Sequence, residues 1–194
     1  CLHPSSIVKY LTGSLRSANP LDLELPWISH QGIKYLERIL SPSTVVREYG
    51  AGGSTLFFAR RVRAVMTMEN DELWVAKVNE AIQKHQLKNV QVHYHNPDLN
   101  DVDAFASSPF ATSLLGCYAD LTFIDSFDYD PPHPLRPILF RNIANRAKEG
   151  EYIVLDDSWR YPEIQSEFQK NMVYRAKGIG PARRTVTTTD FYKF

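Results

Sequence analysis

Apolar positions along this chain follow two periods in alternation. Short, nearly continuous apolar runs occur at Val45–Tyr49, Ala64–Glu69, Leu121–Asp125 and Tyr152–Leu155, and Asn89–His95 alternates apolar with polar. These lengths and patterns predict strands. Between them, apolar residues recur every three or four positions. Trp27, Ile33, Leu36, Ile39 and Leu40 lie on such a period, which Ser41-Pro42 stops. Further helices are predicted from Ser54 to about Arg61, Asp71 to about Gln86, about Phe105 to Leu115, Pro134 to Lys148, and Pro162 to Gln169. Residues 1–26 are punctuated by Pro4, Pro20 and Pro26 and read as irregular. Two closing strands, Asn171–Lys177 and Thr185–Lys193, are joined by Gly178-Ile179-Gly180-Pro181. So short a link has no room for a crossover helix, so these two strands are expected to be antiparallel.

Strands alternating with helices imply a mostly parallel sheet covered on both faces. The informative stretch joins the first strand to the helix after it: Val45-Val46-Arg47-Glu48-Tyr49-Gly50-Ala51-Gly52-Gly53-Ser54-Thr55. A strand ending in an acid runs into a glycine-rich turn and then a helix start. Glycines let the backbone approach a ligand closely, and the helix start offers unpaired N–H groups. The second strand ends in another acid, Glu69. An acid there can accept hydrogen bonds from a ribose diol. The pattern therefore predicts a nucleoside-binding site.

Composition narrows the partners. The chain has 194 residues, with 22 basic and 22 acidic side chains. That length suits one domain with a sizeable core. The balanced charge argues against a nucleic-acid partner, whose phosphates require a basic surface. Two cysteines, Cys1 and Cys117, support neither a disulfide framework nor a zinc cluster. There is no signal-peptide pattern and no apolar run near the ~20 residues that span a bilayer. A soluble, cytoplasmic protein without membrane attachment is expected. A homodimer is compatible with the sequence.

The choice of nucleoside turns on Thr55 and Glu48. A dinucleotide fingerprint requires glycine at the sixth position of its motif, where this chain has Thr55. Glu48 would also repel a pyrophosphate but suits an ammonium or sulfonium. The run Glu48-x-Gly50-x-Gly52-Gly53-Ser54, with Glu69, resembles the cofactor motifs of class I S-adenosylmethionine-dependent methyltransferases. The Glu-Tyr-Gly-x-Gly-Gly-Ser-Thr form resembles a bacterial subgroup of that superfamily. The resemblance implies a Rossmann-like, doubly wound α/β fold. Its sheet would have seven mostly parallel strands, a closing antiparallel pair and helices on both faces. Residues 1–43 would form an irregular and helical cap, and residues 44–194 one compact domain. Cofactor contacts are then expected from Glu48, Gly50, Ala51, Gly52, Ser54, Glu69, Asn70 and Asp125. His95, Asn96 or Asp98, after the third strand, would contact adenine, and Asn96 is retained as the site residue. The departure is Ser54, where many members carry a third glycine.

The other strand ends carry acids as well: Asp125 after the fourth strand, and Asp156 and Asp157 after the fifth. Oxygen-only ligands suit Mg²⁺ or another divalent cation. The set is similar to that of catechol-type, metal-dependent O-methyltransferases, with Asp157 in place of their Asn. Where those enzymes carry a lysine base, this chain has Asp128. Asp125, Asp128 and His133 are therefore the candidate catalytic residues, with Asp125, Asp156 and Asp157 as metal ligands. The opposing reading gives the strand-end acids backbone N–H partners instead. Asp130-Pro131-Pro132-His133 invites comparison with the Asp-Pro-Pro-Tyr motif of amino-group methyltransferases. It lies five residues past Asp125, however, and reads as a stiff loop. The expected activity is methyl transfer from S-adenosylmethionine to oxygen on a small molecule, with possible metal assistance. The alternatives are an aminopropyl transferase and a methyltransferase-like binding or interaction domain without turnover.

Overall fold

In the computed structural model, residues 20–128, 134–181 and 185–194 are described. Seven strands form one sheet: β1 (Val45–Tyr49), β2 (Ala64–Glu69), β3 (Val90–Tyr94), β4 (Leu121–Ile124), β5 (Tyr152–Leu155), β6 (Met172–Gly178) and β7 (Thr187–Lys193). The spatial order is β3-β2-β1-β4-β5-β7-β6. The first five strands pair in parallel, and β7 inserts antiparallel between β5 and β6. The doubly wound sheet and its antiparallel closing pair agree with the sequence pattern.

Both faces are covered, which is why the central strands are apolar without interruption. Alternation along a strand sends neighbouring residues to opposite faces. Val46 joins Phe57, Phe58, Leu121, Phe123 and Val154 on one face. Tyr49 joins Ile124, Leu139, Phe140 and Ile153 on the other. The helix His30–Ile39 packs its Ile33 and Leu36 into the first of these clusters and lies against β6. Ser29 caps it, accepting a hydrogen bond from Gly32 N at 3.1 Å.

Element boundaries shift from the sequence reading in places that chemistry explains. The single helix expected near 105–115 is two, Val102–Ser107 and Pro109–Thr112. Pro109 disfavours a helical conformation at Ser108, whose ψ is 155°. Ser108 instead caps the second helix through Ala111 N at 3.3 Å. The helix expected over Pro134–Lys148 spans Arg136–Ala144. A short helix, Pro20–Leu23, lies within the stretch read as irregular.

Candidate functional site

β1 lies between β2 and β4, so the chain leaves β1 in one direction and later returns on its other side. Ligands bind at such switch points, beyond the carboxyl ends of the strands. A cavity of ≈ 600 Å³ opens there, a volume suited to a nucleoside-sized molecule. Its wall includes Gly50 to Ser54 after β1, Glu69 to Asp71 after β2, and Asp125 to Phe127 after β4. Trp74, Arg136, Leu25, Trp27 and Leu99 complete it.

The turn after β1 is held from two sides. Gly50 has φ +97°, and a Cβ there would stand 2.5 Å from the carbonyl oxygen of Asp125. Only glycine satisfies both conditions. Ala51 N donates to Glu69 Oε2 at 2.9 Å, while Asn70 N and Asp71 N donate to Glu69 Oε1 at 2.7 and 3.0 Å. Glu69 thus ties two strand-end turns together and still presents oxygen lone pairs in the cavity wall. Burial raises its pKa, and the three backbone N–H groups pull it back. Gly52 is different, because the nearest atom to a Cβ there is a ring carbon of Trp74 at 4.0 Å. A side chain at 52 would enter the cavity. Trp74 is itself pinned, its Nε1 donating to Ala51 O at 2.7 Å.

Glu48 lies beneath this turn and does not line the cavity. Period-two alternation puts it on the face of Val46, under the helix Gly53–Ala59. Thr55 Oγ1 donates to Glu48 Oε2 at 2.6 Å and accepts from Gly52 N at 2.9 Å. The threonine that breaks the dinucleotide fingerprint therefore links the buried acid to the turn. Glu48 Oε1 has no hydrogen-bond partner among the described residues. Complete burial pushes the Glu48 carboxyl up to about 7; the Ser54, Thr55 and Thr67 hydroxyls oppose the shift and Asp125 adds to it. Ser54 itself lines the cavity.

The expected cluster of metal-binding acids is not assembled. Asp125 Oδ1 pairs with Arg136 Nη2 at 3.0 Å in the cavity wall. Asp156 is fully buried, its Oδ1 accepting from Thr189 Oγ1 at 2.7 Å. Asp157 has φ +51°, and its Oδ1 accepts from Thr187 Oγ1 at 3.0 Å. Asp125 is engaged by the helix Arg136–Ala144, and Asp156 and Asp157 are both engaged by β7. Among the described residues no group of three His, Cys, Asp or Glu side chains is placed to hold a metal ion. The physical reason is that β7, inserted beside β5, presents threonines that take Asp156 and Asp157, while the Arg136 guanidinium takes Asp125.

Asp128, the candidate base, is likewise committed. Its Oδ1 accepts from Leu135 N at 2.6 Å, its Oδ2 accepts from the Tyr161 hydroxyl, and it does not line the cavity. It fastens the loop before the helix Arg136–Ala144. His133 lies outside the described residues. Asn70 lines the cavity, whereas Asn96 is exposed and, like His95 and Asp98, does not.

Arg136 was not legible as a site residue. Its Nε donates to Ser126 O at 2.7 Å and its Nη1 to Asp156 O at 3.0 Å, besides the ion pair with Asp125. It joins the ends of β4 and β5. Burial opposes its charge, and Asp125, Tyr161, Asp156 and Asp157 outweigh that. The available signal was an arginine between Leu135 and Pro137, next to the apolar run Ile138-Leu139-Phe140.

No protein-family model and no curated protein matches the chain. Solved structures do. SMU.1697c from Streptococcus mutans, in complex with SAH, is similar with a TM-score of 0.60 at 13% identity, covering 83% of this chain and 94% of its own. The fold is that of the class I methyltransferases. The precorrin-6y C5,15-methyltransferase from Geobacter metallireducens matches with a TM-score of 0.60 at 15% identity, over 87% of this chain and 91% of its own. An rRNA methylase from Streptococcus thermophilus matches at 0.57 and 13%, over 84% and 95%. The last match corrects the expectation of no nucleic-acid partner, because this methyltransferase fold is shared by a protein that methylates rRNA. Net charge is a sum over the surface, whereas phosphate contacts depend on local patches. Among the described residues no helix is long and apolar enough to cross a membrane.

Proposed function

We propose that this chain transfers a methyl group from S-adenosylmethionine to an acceptor. One observation carries the reading: the glycine turn, Glu69 and Asp125 share one cavity of ≈ 600 Å³ at the sheet's switch point. The residues present fit the cofactor. Glu69 keeps acceptor capacity for a ribose diol, and Gly52 leaves open the space a side chain would fill. Ala51, Ser54 and Asn70 lie in the same wall. When bound, S-adenosylmethionine supplies an activated methyl group on a sulfonium. The protein's part is to hold donor and acceptor in line and to keep water out.

The finer reading places an acceptor oxygen near Asp125, whose carboxylate is fixed by Arg136, with Trp27 and Phe127 as apolar walls beside it. A small planar molecule suits that space, and RNA belongs in the same acceptor screen. Asp125 then orients the acceptor hydroxyl, and no metal ligand set is invoked. Calorimetric titration with S-adenosylhomocysteine tests the cofactor reading. Micromolar binding, about −8 kcal/mol, is the expected result. Binding of NAD without any response to S-adenosylhomocysteine would overturn it.

A further inference from the structure

The nucleoside-sized cavity lies at the carboxyl ends of the parallel strands, and a second opening runs along their amino ends. Val45, Ala64 and Val90, the first residues of β1, β2 and β3, line a cleft of ≈ 440 Å³. Leu121 and Tyr152, the first residues of β4 and β5, line a neighbouring cleft of ≈ 410 Å³. Arg63 and Tyr118 stand in the wall of both. The strand order β3-β2-β1-β4-β5 makes the two clefts one groove across four strand spacings, about 19 Å.

The groove carries positive charge beside an exposed ring. Arg63 and Lys88 line it, are exposed, and have no ion-pair partner among the described residues. Tyr118 is 53% exposed, and Lys148 Nζ lies 5.5 Å from its ring centroid. Asp120 is the one acid among the described lining residues, and its carboxylate is committed. Its Oδ2 accepts from Val45 N at 2.7 Å and its Oδ1 from the Tyr118 hydroxyl. Helix ends bring carbonyls to this edge, and free carbonyls would repel an anion. Those just ahead of Arg63 in the chain are already taken. Asn89 Nδ2 donates to Ala59 O and Val62 O, each at 2.9 Å, and Arg61 Nη1 donates to Phe57 O at 3.0 Å.

Free cations beside an exposed aromatic ring suit a polymer that repeats an anion and a flat ring. An acidic peptide supplies the charge without the ring. We propose that this groove docks single-stranded RNA, with phosphates at Arg63, Lys88 and Lys148 and a base stacked on Tyr118. The Ser41 and Ser43 hydroxyls in the wall offer partners to 2′-hydroxyls, which DNA lacks. The groove is distinct from the site of the methyl-transfer reading, since no described residue lines both it and the cavity at the switch point.

Fluorescence anisotropy with a labelled oligouridylate is the test. Binding that weakens steeply as salt rises is expected. Arg63→Gln together with Lys88→Gln should reduce the slope of log affinity against log salt by about 1.4, the share of two phosphate contacts on a single strand. Tyr118→Ala should weaken binding about tenfold and keep the salt slope. All three side chains are exposed, so denaturant midpoints should hold, which separates a lost contact from a lost fold. Oligodeoxyuridylate should bind more weakly than oligouridylate. No binding by the unaltered protein, equal affinity for polyglutamate or for oligodeoxyuridylate, or affinities that neither variant changes would each overturn the proposal. The S-adenosylhomocysteine titration reads the other end of the sheet, so either result can fail while the other stands.

Discussion

Gly50 and Gly52 stand two positions apart and do different work. Gly50 carries a left-handed φ of +97° and has no room for a Cβ. Gly50→Ala should therefore destabilise the fold, on the order of 3 kcal/mol, seen as a lower midpoint in denaturant. At Gly52 a side chain would meet only the Trp74 ring at 4.0 Å. Gly52→Val should fold with a near-normal midpoint and fail to bind S-adenosylhomocysteine. Equal destabilisation by the two substitutions would contradict this division. Glu69 serves both fold and cavity, since three backbone N–H groups end on its carboxylate. Glu69→Ala should lower stability by roughly 1–3 kcal/mol as well as weaken the ligand. The strand-end acids lead to an opposite expectation from the one their spacing suggests. With Asp156 on Thr189 and Asp157 on Thr187, Mg²⁺ should leave the melting temperature where a chelator leaves it. A saturable rise with Mg²⁺ would restore the metal reading.

At the scale of elements, β1 shows what a buried charge needs. Arg47 lies mid-strand, 3% exposed, where apolar residues are the rule. Its Nη2 meets Glu151 Oε1 at 2.9 Å, its Nε donates to Thr122 Oγ1 at 3.1 Å, and its Nη1 donates to Leu114 O at 3.1 Å. The guanidinium joins β1, β4, the turn before β5 and the segment after the helix Pro109–Thr112. Breaking one partner leaves the other charged and buried. Arg47→Met alone should cost about 3–5 kcal/mol, whereas Arg47→Met with Glu151→Gln should recover part of that loss. A double-mutant cycle on denaturant midpoints checks it, and additive losses would show that the pair is not coupled. The strands were legible in the chain because burial on both faces forces short apolar runs. The split of the helix near 105–115 was written at Ser108-Pro109, where the proline's missing N–H and its effect on the preceding residue outweigh the apolar period.

For the whole molecule, the carboxyl of Glu48 links stability to pH. Its pKa rises from 4.5 to about 7 in the folded chain, chiefly through burial. The folded state therefore holds the proton more tightly than the unfolded state. The stabilisation is fully present below the unfolded value and is lost as pH rises through the folded one. Stability should fall by about 3 kcal/mol between pH 4.5 and 8 from this group. Glu48→Gln should flatten that part of the profile, measured as denaturant midpoints against pH; an unchanged slope would place the titration elsewhere. The sequence by itself determined the alternation of elements, the antiparallel closing pair and the glycine turn with Glu69. Each of these is local: a period along the chain, a loop too short for a crossover, or a residue type required by one turn. Sequence also led to Glu48, but not to its place beneath the turn, because the face a strand residue takes depends on what the sheet packs against. Only the tertiary structure decided which strand-end acids meet. Thr187 and Thr189 come from the far end of the chain and take Asp157 and Asp156, and Arg136 takes Asp125. The two threonines are distant in sequence from their acids and are brought to them by the insertion of β7 beside β5, a pairing that no local period along the chain encodes.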